Sequence, residues 1–340
     1  MTQAILSTNE VEVVPPGRRC RRNDRWGLVA FIVRRLAILL LLLLLISFAV
    51  FSLIYLAPGS PIDALLGPHP RTPEAVAALT ERYHLDEPFL QQYWHWLGNA
   101  VRLDLGTSIQ TSLPVTDEIG FRAPTTLLLG LYAFLLTLVL GVSLGILAAL
   151  KQGSAVDRST VAAVVVALST PTFVLAVFLL YLFSVRLGWF PAFGKGEGFL
   201  DGLWHLTLPA LALALGGCAF VVKHTRSALI GVLDQDYIVF AKARGLAYRR
   251  VLFSYALKNA LIPVITISGL IFSGLIIGAV LIEVVFSVQG LGQLLVQSAT
   301  AKDLPVIQGV TLLTATLIML TALVTDLVYM LVDPRIRVGA

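Results

Sequence analysis

Six long apolar runs divide this chain, and runs of that length leave the backbone few choices. They lie at Leu36–Leu56, Thr126–Leu150, Val161–Val185, Leu206–Val222, Leu261–Ile282 and Val306–Leu331. About 20 mostly apolar residues carry a helix across a bilayer. Lipid offers no partner to an open backbone, so each run is expected to be helical; barrel strands would show ~10-residue alternation instead. The fourth run is the shortest, and Pro209 with the pair Gly216-Gly217 is expected to interrupt it. Composition agrees: 57% of residues are hydrophobic and 13% charged, against roughly 25% charged in an average soluble domain. The first run is too long for a cleaved signal peptide, and no small-residue cleavage pattern follows it before Pro58-Gly59.

Charge placement orients the spans. Arg71, Arg82, Arg102, Arg122, Arg186, Lys195 and Lys302 fall on one side, and the other 18 of the 25 lysines and arginines on the other. The positive-inside bias then puts both termini in the cytoplasm. The net charge of +5 is therefore a topology signal, and no nucleic-acid partner is expected. Cys20 in the tail and Cys218 within a span are not placed to meet, so neither a disulfide framework nor a metal site is expected.

The cluster Arg18–Arg25 in the polar N-terminal tail is either a contact for anionic membrane lipids or a plain topogenic block. Between the first two spans, 57–124 reads as short helices on the outer membrane surface. Thr72 before Pro73 is an N-cap signal, and Leu90, Trp94, Leu97 and Val101 follow at helical spacing, with Tyr93 and Trp96 beside them. Whether this segment also grips a partner stays open at this point.

Catalytic signatures are missing. Gly194-Lys195-Gly196 lacks the hydroxyl residue of a phosphate loop. His69, His84, His95, His205 and His224 are scattered without metal-ligand spacing, so no metal is expected. Ionisable groups at membrane depth are costly and so informative. Glu283 closes the fifth span and Asp326 lies inside the sixth, either in a pathway or interhelical-bonding role or as plain boundary anchors. Pro171 removes a helical hydrogen bond in the third span. A break there, with Thr172 beside it, is tolerated only against protein or a watery cavity, which makes the pair a second candidate for the path, with simple helix bending as the rival reading.

One polar connector, Asp236 to Arg250, interrupts the apolar chain between the fourth and fifth spans. Gln235–Ala243 is expected to form a short helix stopped by Gly245 in a C-cap role. Tyr237, Phe240, Ala241 and Arg244 recur at i, i+3, i+4 and i+7, with Lys242, Ala243 and Leu246 close by. This helix either fills a groove on a partner or packs on its own bundle.

The run Tyr237…Ala241-Lys-Ala-Arg-Gly245-Leu246…Asn259-Ala-Leu-Ile-Pro263 resembles the EAA loop of bacterial ABC importer permeases. Further stretches resemble the first of the two permeases in the dipeptide/oligopeptide/nickel branch. They include Asp104-Leu-Gly-Thr-Ser108, Pro171-Thr-Phe173, Glu283-Val-Val-Phe286, Gly290-Leu-Gly292 and Asp333-Pro-Arg335. The chain departs from the family pattern at Ser60, where Asp is usual, and in the reversed order of Lys242 and Arg244.

The resemblance implies an all-α integral membrane protein with six transmembrane helices, both termini cytoplasmic and the type I importer permease fold. Residues 1–33 would be the cytoplasmic tail and 34–340 the permease domain, with 57–124 extracytoplasmic and 223–260 the cytoplasmic coupling loop. It further implies a second homologous permease, two cytoplasmic ABC ATPases that use ATP and Mg, and an extracytoplasmic substrate-binding protein. The chain itself would be no enzyme and bind no cofactor, and its location would be the bacterial cell membrane. Coupling would fall to Asp236, Tyr237, Phe240, Ala241, Lys242, Ala243, Arg244, Gly245 and Leu246. The expected cargo is a di- or oligopeptide. The rivals are nickel or another small solute of the same branch and, from a different class, a secondary transporter working without a motor.

Overall fold

The computed structural model describes residues 24–56, 60–67 and 70–332. The arginines of the tail before Asp24, Cys20, Pro58-Gly59, His69 and Asp333-Pro-Arg335 lie outside the described residues. Within them the chain is all helical. The first helix, α1, runs Asp24–Leu56, so it begins ahead of residue 34. Three short helices follow: α2 (Pro61–Leu66), α3 (Pro73–Tyr83) and α4 (Phe89–Val101). Then come α5 (Val115–Leu150), α6 (Ala155–Ser169), α7 (Thr172–Leu179, prolonged by a π-helical turn to Arg186) and α8 (Gly198–Leu233). The connector holds α9 (Asp236–Ala243), α10 (Tyr248–Arg250), a π-helical turn and α11 (Leu257–Ala260). Last are α12 (Ile262–Val285), α13 (Leu291–Ala301) and α14 (Leu304–Val332).

Five of these helices are long and apolar enough to span a membrane, and α6 with α7, bent by 107° between them, meets the same test only as a pair, which gives five or six spans among the described residues. The bend falls where Pro171 was expected to break the third run. By contrast, Pro209 and Gly216-Gly217 do not interrupt the fourth, because α8 continues through them for 36 residues. Pro209 is buried among Leu208, Ala210 and Ala212 at the centre of the bundle. A proline inside a membrane helix is tolerated where neighbouring helices enclose it.

The centre is the parallel pair α5 and α8. Association in lipid depends on close packing, and small residues allow it. A Cβ at Gly141 would stand 2.5 Å from Val221 Cβ, and one at Gly145 would stand 2.6 Å from Thr225 Cβ. The spacing Gly141-x-x-x-Gly145 thus presses one backbone into the side of α8. Where α8 nears the connector, Arg226 donates to Asp157 from Nε at 2.6 Å and from its second terminal nitrogen at 2.8 Å. Asp157 also accepts the Gly153 N–H at 2.9 Å, which fixes the turn between α5 and α6.

At the opposite end a carboxylate does the same work. Glu283 is fully buried. Its Oε1 accepts from Thr126 Oγ1 at 2.6 Å, and its Oε2 accepts the N–H groups of Gly292 and Gln293 at 2.7 and 3.1 Å. Thr126 in turn accepts the Leu291 N–H at 2.8 Å. The first turn of α13 has free donors that favour negative charge, and Glu283 meets them. A Cβ at Gly290 would fall 2.3 Å from the Glu283 carboxyl carbon, so the loop closes over it only as glycine.

The peripheral helix α1 leans on α14. Gln308 donates to the Val50 carbonyl at 3.2 Å, and Arg35 pairs with Asp326 towards the other end. Leu40, Leu41 and Leu45 of α1 remain exposed, as a lipid-facing surface requires. In the segment after α1, Ser60 caps α2 by accepting from Asp63 N at 3.1 Å and donating to Asp63 Oδ2 at 2.6 Å. This contact holds the Asp63 carboxyl below the usual carboxylate range. Thr72 caps α3 as expected. Helix α4 turns Phe89, Gln92, Tyr93 and Trp96 towards Phe48, Phe51 and Tyr55 of α1. Its stripe of Leu90, Trp94 and Val101 stays exposed.

Three outcomes follow from this packing. Replacing Gly141 by Val should cost about 1–3 kcal/mol through overpacking, seen as a lowered thermal midpoint in detergent. Gly231→Ala, on an open face of α8, should be neutral or gain up to about 1 kcal/mol. Glu283→Leu should cost roughly 3 kcal/mol or more, because it strands several buried donors at once; a wild-type unfolding midpoint for that variant would refute its structural role.

Candidate functional site

The connector is built on two faces of one short helix. Ile238 and Ala241, at i and i+3, are buried against Leu229 of α8, Ala149 at the end of α5, and Val251, Leu252 and Ala256 of the returning turn. Around the rest of α9, Asp236, Tyr237, Val239, Phe240, Lys242, Ala243 and Arg244 are exposed. Phe240 is 68% exposed, which is unusual for a phenylalanine with a core so near. Ala241 therefore does not share the open face with Tyr237, Phe240 and Arg244, as helical spacing predicted. The residue is small, and it lets α9 sit down on its own bundle. Leu246 is half-buried in the same cluster.

Gly245 stops α9 with φ +74°, in the region L side chains avoid, and its absent Cβ would meet nothing within 4 Å. Backbone conformation selects this glycine; internal packing does not. Asn259 donates to Tyr237 Oη at 3.1 Å and so ties α9 to α11. The helix is thus rigidly mounted yet uncovered. The reading in which the connector packs on its own bundle holds for the Ile238 and Ala241 side; the opposite side is exposed.

The four residues nominated for a path fall in three separate places. Pro171 caps α7 at the 107° bend, and Thr172 opens onto a cleft of about 430 Å³ between α8 and α12. Gly216, Gly217, Gly274 and Gly278 line this cleft, with Phe220, Leu270 and His224 at its edges. Leu270 is 78% exposed, so the cleft lies open along the flank of the bundle. A Cβ at Gly216 would come within 3.3 Å of Thr172 Oγ1, so the glycine admits the broken helix here. Glu283 lies in the buried knot with Thr126 and α13, and Asp326 pairs with Arg35 between α14 and α1. Neither lines the cleft. Sequence reasoning missed Gly216, Gly217, Gly274 and Gly278 as a group; their signal is four glycines in two adjacent apolar spans.

Comparison with known proteins agrees with this geometry along the chain. Residues 141–338 match the family described as binding-protein-dependent transport system inner membrane component, and residues 28–130 match its N-terminal region. A putative peptide transport system permease protein of Brucella abortus (strain 2308) is 39% identical over 314 residues, covering 91% of this chain and 99% of the relative. The di/tripeptide transport system permease protein DppB of Pseudomonas aeruginosa (strain UCBPP-PA14) is 38% identical, with 91% and 99% covered. The oligopeptide transport system permease protein AppB of Bacillus subtilis (strain 168) is also 38% identical, with 91% and 100% covered. Among solved structures, the inward-facing MetNI methionine ABC transporter aligns with a TM-score of 0.51 at 18% identity. That alignment covers 63% of this chain and 96% of the other, a likeness of fold. The chain belongs to the binding-protein-dependent transport system inner membrane components, multi-pass membrane permeases with the fold of an ABC importer subunit.

Proposed function

We propose that this chain is one of two homologous permeases in an ATP-driven importer of di- or oligopeptides, and that it forms half of the translocation path. Both termini and α9 face the cytoplasm, and 57–124 faces outward. Two ABC ATPase subunits bind ATP and Mg, one of them seating α9, and an extracytoplasmic binding protein delivers the cargo. The chain itself hydrolyses nothing and binds no nucleotide.

The observation that carries this reading is the two-sided α9. Its inner face is anchored by Ile238 and Ala241, and its outer face presents Phe240, Val239 and Arg244 without a partner. A mixed face with one large aromatic suits a helix seated in a groove. The cleft at Thr172 supports the second half of the proposal, because it opens sideways and a homologous subunit there would close it into a conduit. Peptide as cargo rests on the names of the relatives at 38–39% identity.

Domain rotation driven by nucleotide would pass through α9 as a rigid-body switch. Phe240→Ala should therefore weaken association with the ATPase by about 2 kcal/mol, as expected for an aromatic anchor. The readouts are co-purification and cargo-stimulated ATP hydrolysis, with normal insertion as the control; unchanged stimulation would defeat the docking role. Gly274→Trp tests the path. The absent Cβ of Gly274 meets nothing within 4 Å, so a side chain can start there, and an indole would project into the cleft that Gly274 lines. Peptide uptake should fall at least about tenfold, a barrier increase near 1.4 kcal/mol, while the ATPases stay bound.

A further inference from the structure

The elbow between α3 and α4 brings together residues that sequence spacing kept apart. His84 ends α3 in a left-handed conformation, φ +52°, with its N–H on the Thr80 carbonyl. Three residues later, Glu87 places Oε1 3.3 Å from His84 Nδ1. His95, two turns into α4, places Nε2 3.1 Å from the other oxygen, Oε2. The two imidazoles stack at 4.4 Å with 22° between their planes. One ligand atom from each residue lies within 4.8 Å of the others.

We propose that His84, Glu87 and His95 form a binding site for a first-row divalent transition-metal ion such as zinc. Ligand atoms about 2.0–2.1 Å from a tetrahedral ion stand roughly 3.3 Å apart; each imidazole is near that distance from one Glu87 oxygen, the whole set lies within 4.8 Å, and a bound ion would turn the exposed imidazoles out of their stack to aim both nitrogens at it. Glu87 Oε2 is a buried atom without a hydrogen-bond partner, although His95 Nε2 is near. The two atoms are close but form no hydrogen bond, which leaves Glu87 Oε2 free to bind an ion that His95 Nε2 also reaches. Two imidazole nitrogens and one carboxylate are a donor set that suits zinc, and a carboxylate-rich set for calcium or magnesium is not present.

The surroundings hold the ligands in place. Gln92 donates from Nε2 to the Glu87 carbonyl at 2.7 Å, and Tyr55 of α1 bonds the same Gln92 side chain. His84 and His95 are 40% and 51% exposed in their side chains, so an ion reaches the site from solvent and keeps a position open to water. Bound metal would pin the end of α3 to the face of α4 and stiffen the segment that stands over α1. The correction to the sequence reading is plain: His84 and His95 are not scattered, because the elbow at Pro88 folds one back over the other.

The test uses the full-length chain, free of any polyhistidine tag, stripped by chelator in detergent. Zinc titrated calorimetrically should bind at one ion per chain, and cobalt(II) should give the visible absorption of a four-coordinate site. His84→Asn keeps a residue that tolerates the left-handed backbone; combined with His95→Ala, it should abolish the cobalt spectrum while the protein unfolds cooperatively. Glu87→Gln should weaken zinc at least about tenfold. His205→Ala, beside Asp201, should leave binding unchanged. Absence of zinc binding by the wild-type chain, or a cobalt spectrum that survives in the double variant, would overturn the site.

Discussion

The structure depends on how closely α5 can approach α8. In water, burial of apolar side chains would drive such a pair together, but lipid is as apolar as leucine and supplies no such force. Contact density must do the work, and Gly141 and Gly145 provide it by letting the α5 backbone touch Val221 and Thr225. Once this seam is set, α12 and the broken span α6–α7 pack on its flanks. The ion pair of Arg226 with Asp157 then closes the connector end.

Charged groups in the bundle are placed as joints. Glu283 meets three donors at the end of the bundle far from the connector, and Asp326 meets Arg35 across α1 and α14. Each lies between helices, where an ionised group has partners in place of water. The open cleft at Thr172 is lined mostly by glycine, aliphatic residues and a few hydroxyls, with Phe220 and His224 at its edges.

Much of this was legible from residue order. Span positions follow from apolar length alone, and the break at Pro171 follows from a missing donor. The short helix ended by Gly245 follows from cap chemistry. The continuity of α8 through Pro209 was not legible, because tolerance of proline depends on neighbours that only tertiary structure supplies. The same holds for Ala241, whose side of α9 is decided by Leu229 and Val251. His84 and His95 lie on different helices, so no one-dimensional spacing rule brings them together.

The anchoring of α9 has a mechanical consequence. Ile238 and Ala241 rest on residues that terminate α5 and α8, the two most tightly joined rods in the molecule. Under the proposed docking, a load on Phe240 would pass through Ile238 and Ala241 to Ala149 and Leu229, and so to the ends of the two central rods.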